Sequence, residues 1–288
     1  MIWKSHFAIS KAIVVKKMSQ ILAFGKNHYL CGMKSSKSQC IMQRFTKAIA
    51  AIMLTMAVVC AVGCKKNDNP NNGGNGGGNN GNNSNGTYNG HEYVDLGLPS
   101  GTLWATCNIG ATKPEGYGDY FAWGETEPKT IYDWCTYKYC NDCDPNLLTR
   151  YCYYAGYGYN GFTDNLTVLQ PMDDAATANW GSGWRMPTSK QWRELSDNTT
   201  VTWTTQNSVK GRKFTASNGN SLFLPSSGYY DGSSLGYGGS YGCYWSSLLN
   251  DEYPGQAWYF YFDSGDDYYV YHGGNRYNGR SVRAVREN

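Results

Sequence analysis

The chain carries little charge and few of the residues on which catalytic centres depend. Asp, Glu, Lys and Arg make up 16% of its 288 residues, against about 25% in typical soluble domains, and only four residues are histidines. Past residue 64 only His91 and His272 remain, neither in a nucleophile motif, and His272 is expected in a turn. Residues 156–161 spell G-x-G-x-x-G, but a turn sequence follows them. We therefore expect no catalytic residues and no cofactor.

Acidic residues are missing from the first 64 positions, which hold nine Lys and Arg. The rest of the chain holds sixteen basic and 22 acidic residues, a net charge of −6, although the whole chain stands at +3. A nucleic-acid-binding domain needs a basic face on its folded part. The chain is therefore not expected to bind nucleic acid.

No apolar run approaches the ~20 residues of a membrane span. A shorter run follows Lys47 and has the size of a signal-peptide core. It ends in Ala61-Val62-Gly63-Cys64, and small residues before a cysteine are typical of a bacterial lipobox. We predict a lipoprotein signal peptide over 42–63 and a lipidated Cys64. The alternative is an ordinary secretory signal with an incidental cysteine.

The pattern divides the chain into four segments. Residues 1–41 have no role in a signal peptide, so Met42 is expected to be the true start; a long cytosolic extension is the alternative. Asn and Gly fill sixteen of the eighteen residues 69–86, which cannot bury an apolar core. Residues 64–87 are therefore predicted to be a disordered tether, and residues 88–288 the folded domain.

Short strand patterns dominate this domain. Asn218-Gly219 lies between two strand-like stretches and predicts a hairpin with a type I′ turn, in which both central residues have positive φ. Residues 256–262 and 267–271, separated by a turn, predict a second antiparallel pair. Residues 280–285 predict a closing strand.

Two short helices are also predicted. Asp173 and Asp174 precede an alanine-rich run and place negative charge at the positive end of a helix dipole, which alone explains the acidic pair. Thr188 and Gln191 form a capping box ahead of further helix-forming residues. Strands with two small helices predict an α+β domain.

Six cysteines follow the tether, an even number in a chain expected to be exported. Disulfides or free thiols are favoured, with the pairing open among fifteen connectivities. The four cysteines between residues 135 and 152 also permit a zinc site, but only one pair has knuckle spacing, so no metal site is assigned. The six are Cys107, Cys135, Cys140, Cys143, Cys152 and Cys243.

Five motifs in order resemble the Fibrobacter succinogenes major paralogous domain family, abundant in exported lipoproteins of Bacteroides-like bacteria. They are HEYVDLGLPSGTLWATCNIG (91–110), GDYFAWGE (118–125), WRMPT (184–188), YWSS (244–247) and SVRAV (281–285). The resemblance implies a C-type-lectin-like fold related to the formylglycine-generating-enzyme fold. Enzymes of that related fold use a late cysteine pair, and this chain has only Cys243 there, so their activity is not expected.

In lectin-like folds a long loop carries the ligand, which by this resemblance is the segment 225–243. Its aromatic and acidic residues are the predicted ligand contacts, since rings stack on sugars and carboxylates accept hydrogen bonds from hydroxyls. Tyr237, flanked by glycines, is expected to project outward. The alternative is that most of these tyrosines pack the loop against the core. The predicted contacts are Tyr229, Tyr230, Asp231, Tyr237 and Tyr241.

We therefore expect a non-catalytic surface lipoprotein of the outer membrane, held by its lipid, that binds an extracellular glycan, peptide or protein. An enzyme or enzyme accessory acting on an external polymer is one alternative, and it would need convergent carboxylates such as Glu125, Glu127 or Asp263. A structural protein that assembles with copies of itself through aromatic strands is the other.

Overall fold

Strands account for 39% of the structure and helices for 12%, and one sheet curls into a half-barrel. This computed structural model describes residues 85–265 and 268–288, which belong to the compact unit Gly78–Asn288. The predicted signal peptide and Cys64 lie outside the described residues. Within those two ranges, no helix has the length and apolarity needed to cross a membrane.

Within the described part of the chain, fourteen strands are arranged in three sheets. The largest has seven strands, in the order β12-β11-β10-β13-β8-β9 with β4 paired to β13, and is antiparallel except where β10 meets β13. Its strands are β4 (Tyr120–Phe121), β8 (Tyr229–Asp231), β9 (Ser234–Gly236), β10 (Gly242–Leu249), β11 (Gln256–Phe262), β12 (Tyr268–Asn275) and β13 (Gly279–Ser281).

The two smaller sheets are antiparallel. One runs in the order β1-β2-β3-β14, and the other in the order β5-β6-β7. Their strands are β1 (Gly86–Tyr88), β2 (His91–Asp95), β3 (Leu103–Asn108), β5 (Thr199–Gln206), β6 (Val209–Ala216), β7 (Ser221–Pro225) and β14 (Arg283–Arg286).

Both predicted helices are present but short: α1 spans Ala175–Trp180 and α2 spans Ser189–Asp197. The side chain of Asp174 caps α1, and Thr188 with Gln191 forms the predicted capping box of α2. Helices this short cannot cover a sheet as a layer. The predicted α+β, C-type-lectin-like fold is therefore wrong, and the domain is mainly β.

Along β10 and β11, the two faces of the seven-stranded sheet pack against different cores. Along β10, Cys243 and Trp245 face one cluster, while Tyr244 faces the other, as the twofold repeat of a strand requires. Helix α2 packs against the second cluster, where the ring of Trp192 stacks on that of Phe260 with their centres 4.8 Å apart. Burial on both faces explains why β11 carries an unbroken aromatic run from Trp258 to Phe262.

The predicted hairpins are confirmed, with two differences. Strands β6 and β7 flank the Asn218-Gly219 turn, but only Gly219 has positive φ, so the turn is not type I′. Strand β12 pairs with β11 and contains His272, which was expected in a turn. The predicted closing strand breaks at Val282, because β13 joins the seven-stranded sheet and β14 joins β3.

Candidate functional site

Strand register brings four side chains into one line across the seven-stranded sheet. Cys243 on β10 lies opposite Tyr261 on β11, and Arg280 on β13 lies opposite Tyr229 on β8. The residues that follow Cys243 and Arg280 pair in turn where β10 meets β13. Directly opposed residues point to the same face of a sheet. Two tyrosines therefore stand on either side of a floor made by Cys243 and Arg280.

Arg280 is buried in this floor with an exposed fraction of 3%. Its guanidinium lies 3.7 Å from the ring centre of Tyr259, 4.6 Å from that of Tyr229 and 4.9 Å from that of Trp245. Among the described residues, neither Nε nor Nη1 has a hydrogen-bond partner. Ring faces thus compensate this charge in place of a carboxylate. Burial raises the pKa of the neighbouring Cys243 thiol to about 11, and Arg280 opposes that rise.

A hydrogen-bonded turn places two more tyrosines above the floor. The amide of Tyr241 donates to the carbonyl of Tyr237 at 3.0 Å, and the two rings stack on each other. Tyr237 has a φ of 59°, a left-handed conformation that is rare for a bulky residue. Close packing fixes the segment, because a Cβ at Gly228 would meet the carbonyl oxygen of Gly236 at 2.1 Å.

Four rings then form a continuous row, which we call the tyrosine row: Tyr229, Tyr237, Tyr241 and Tyr261. Ring centres are 5.8 Å apart for the first pair, 4.4 Å for the second and 5.3 Å for the third. The first two contacts are stacked and the third is edge-on. Tyr237 is 54% exposed, as its glycine neighbours predict, and the other three pack partly against the core.

Two of the predicted contact residues, Tyr230 and Asp231, are not part of the tyrosine row. Tyr230 points to the opposite face of β8, where it packs against Tyr120 at 4.9 Å and Tyr132 at 5.5 Å. Strand alternation makes that outcome unavoidable once Tyr229 faces the row. Asp231 is exposed at the end of β8 and faces the same side as Tyr229.

A carboxylate lies at the other end of the row. The hydroxyl of Tyr261 donates to Asp263 at 2.9 Å. Burial and this hydrogen bond raise the pKa of Tyr261, and the Tyr241 hydroxyl adds to the effect. The row is therefore a set of stacked rings whose Tyr261 end is hydrogen-bonded to a carboxylate.

The predicted segment 225–243 did not include Tyr261 or Arg280. Tyr261 belongs to an aromatic strand, and Arg280 lies between Gly279 and Ser281 in β13. The position of Arg280 at the start of the predicted closing strand does not indicate which strands lie beside it.

The acidic pair before α1 has two roles rather than one. Asp174 caps the helix, but Asp173 precedes it and accepts hydrogen bonds from Tyr139, from Tyr151 at 2.8 Å and from Arg150 at 2.7 Å. Burial works to raise the pKa of Asp173, but its hydrogen-bond donors and Arg150 outweigh that effect and lower it. The helix dipole is therefore not the whole explanation for this pair.

The carboxylates named for an enzyme do not share a partner among the described residues. Glu125 pairs with Lys129 at 2.9 Å, Glu127 is exposed, and Asp263 accepts a hydrogen bond from Tyr261.

The sequence also contains two G-x-S-x-G patterns that were not predicted as sites, centred on Ser234 and Ser240. A nucleophile elbow joins a strand to a helix, whereas Ser234 lies in hairpin strand β9 and Ser240 leads into β10.

Of the six cysteines that the structure describes, Cys135 and Cys143 form a disulfide. Cys107, Cys140, Cys152 and Cys243 are free thiols. The disulfide uses two of the four thiols that a zinc site would need. Across residues 85–265 and 268–288, no group of three or more His, Cys, Asp or Glu side chains could hold a metal ion.

An open depression of about 420 Å³ lies along the loop that follows β3. Gly110 and Asp119 line it together with Glu115, whose pKa is lowered by a hydrogen bond from Asn207. None of the predicted contact residues borders it.

Residues 197–285 match a family described as a domain of unknown function, DUF8237. The match runs from the end of α2 into β14, so it includes the whole tyrosine row and Arg280. No curated protein and no solved structure matches the chain.

Proposed function

We propose that this chain is a non-catalytic binding protein that recognises an extracellular ligand through the tyrosine row, and that its lipidated Cys64 anchors it to the outer membrane. One observation carries the binding proposal. Four tyrosines from three separate segments converge on one partly exposed surface. The buried side chain of Arg280 packs against the ring of Tyr229 beneath this surface. Aromatic side chains of this kind dominate the energetics of recognition surfaces.

A binding screen against glycans and extracellular proteins tests this proposal, using the full chain in detergent. Replacing Tyr237 with Ala should weaken binding of the captured ligand by about 1–3 kcal/mol. Tyr253 is also 54% exposed but lies outside the row, so Tyr253→Ala is the matched control and should bind normally. Equal binding by Tyr237→Ala and the wild type would contradict the proposal.

Self-assembly is the second candidate, and the position of β12 favours it. This eight-residue strand ends the order of the seven-stranded sheet, and Tyr271 on it is 48% exposed. Edge strands offer unpaired backbone groups to another chain. Sedimentation in density-matched detergent would reveal a concentration-dependent dimer, and Tyr271→Lys should abolish it.

A further inference from the structure

The side chain of Met172 combines high exposure with a contact to a guanidinium. It is 73% exposed, the largest value among the exposed large apolar residues that the structure describes. Its sulfur lies 3.8 Å from Nη2 of Arg150. We infer that Met172 is a site of reversible oxidation by peroxide, and that Arg150 binds the oxygen atom of the resulting sulfoxide. This inference is independent of the proposed binding function.

Local structure holds the sulfur next to Arg150. Met172 lies in the 3₁₀ turn Pro171–Asp173, directly before the buried carboxylate of Asp173. Arg150 donates to that carboxylate through Nε at 2.7 Å. Because the guanidinium is planar and rigid, this bond also fixes the direction of Nη2. Two consecutive residues therefore contact two nitrogens of one guanidinium.

Oxidation changes what Met172 offers to this guanidinium. A thioether sulfur is a weak hydrogen-bond acceptor, whereas a sulfoxide is polar. The sulfur donates an electron pair to one oxygen of hydrogen peroxide, and the O–O bond breaks. The departing hydroxide takes the proton of the transferred oxygen and leaves as water, so the sulfur is oxidised and the peroxide is reduced. A methionine sulfoxide reductase restores the thioether, as two of its thiols become a disulfide and the oxygen leaves as water.

The distance between the sulfur and Arg150 suits a bound sulfoxide. A contact of 3.8 Å is longer than a hydrogen bond between nitrogen and oxygen. The sulfoxide oxygen projects from the sulfur by one bond, and rotation of the unbranched Met172 side chain brings it within hydrogen-bond reach of Nη2. Because the donor is charged, this bond is stronger than one between neutral groups. The oxidised side chain thus ties the turn to the guanidinium a second time.

Exposure should confine the oxidation to one of two methionines. Met186 is the other methionine in residues 85–288, and it is 2% exposed within the core. An oxidant must reach the sulfur, so brief treatment of the full chain with hydrogen peroxide should oxidise Met172 at least about 10-fold faster than Met186. Peptide mass spectrometry measures both rates. Equal rates would contradict the assignment of Met172 as the reactive site.

The role of Arg150 is tested by the melting midpoints of the oxidised and the reduced full chain in detergent. We expect oxidation to raise the wild-type midpoint by about 2–4 °C, the shift that one net hydrogen bond gives in a domain of this size. Arg150→Leu has no donor and should show no rise. Lys138→Gln is the matched control, because Lys138 also donates to Asp173, at 3.3 Å, and this variant should keep the full rise.

Two further variants complete the comparison. Arg150→Lys keeps a charge beside Asp173 but lacks the planar guanidinium, so it should show less than the wild-type rise. It replaces Arg150→Leu if that variant does not fold. Met172→Leu should show no rise, which separates the effect of Met172 from oxidation elsewhere, such as at the half-buried thiol of Cys107.

Three results of the melting experiment would overturn the inference. The first is a wild-type midpoint that oxidation of Met172 leaves unchanged or lowers. The second is a rise in the Arg150 variant as large as that of the wild type, because another group would then bind the oxygen. The third is an equal rise in Met172→Leu. Treatment with a methionine sulfoxide reductase should restore the original mass and midpoint, and a sulfoxide that the folded chain retains would refute reversibility.

Discussion

The backbone of Tyr237 is held in a conformation that its side chain disfavours. A φ of 59° costs a residue with a Cβ about 1–2 kcal/mol, whereas Gly236 or Gly238 on either side would adopt it without that cost. Contacts with Tyr229 and Tyr241 offset part of this, since aromatic pairs contribute about 0.5–1.5 kcal/mol each. Strain of this kind clusters at functional sites.

Tyr237→Ala and Trp245→Ala should separate binding from stability. Trp245 is fully buried and donates to the carbonyl of Phe121 at 2.7 Å, so its truncation should lower the free energy of unfolding by about 3–5 kcal/mol. Tyr237→Ala, which removes two aromatic contacts of a half-exposed ring, should lower it by only about 1–2 kcal/mol. Denaturant titration measures both. Equal destabilisation by the two variants would mean that Tyr237 is part of the core.

Asp173→Asn should make stability less dependent on pH in acid. The pKa of Asp173 is lower in the folded chain than the ordinary value of 3.8, so its ionised form stabilises the fold above that value. This contribution is lost as the pH falls through the folded pKa. At pH 7 the variant should be less stable by about 2–3 kcal/mol, because hydrogen bonds to a charged group are lost.

Unfolding curves at pH 7 and near pH 2 provide the measurement for Asp173. The difference in unfolding free energy between wild type and variant should narrow towards the lower pH, as the wild-type carboxyl begins to protonate. A gap that stays constant would show that the network acts through packing and not through charge.

The Cys135–Cys143 disulfide should stabilise the irregular segment between β4 and α1. It closes a short loop, for which loop-closure entropy gives about 2–3 kcal/mol. We expect a variant with serine at both positions to lose that much unfolding free energy. Cys107→Ser, at a half-buried free thiol, is the control and should change little. Equal stability of the double variant and the wild type would show that the segment is ordered without its cross-link.

Elements with local signals could be predicted from sequence, and elements assembled at a distance could not. The capping box of α2 and the hairpin around Gly219 depend on residues within a few positions of each other. Likewise Tyr229, Tyr237 and Tyr241 lie in one glycine-rich segment. Arg280 reaches them only because β13 inserts between β10 and β8, a pairing that no local pattern specifies.

At the scale of the whole domain, the prediction of an α+β fold was wrong for a physical reason. Each helix signal was correct, but the sequence contains no long amphipathic run, and α2 extends for only nine residues. A helix of that size fills a gap between sheets and does not form a layer of its own. Two cores on opposite faces of one aromatic sheet replace the expected α+β arrangement.

The attachment of the whole molecule is predicted to depend on one residue. Cys64 ends the predicted lipobox, and the Asn- and Gly-rich segment after it is predicted to separate the anchor from the domain. Cys64→Ala should therefore abolish incorporation of labelled fatty acid and release the protein from membranes, because several acyl chains give stable anchoring and their loss removes it.

Cys60→Ala is the matched control and should be labelled normally, because Val59 stands where a lipobox needs a small residue before the cysteine. If Cys64→Ala stays in the membrane fraction after a carbonate wash, the apolar segment before it is the anchor, and the lipobox interpretation must be abandoned.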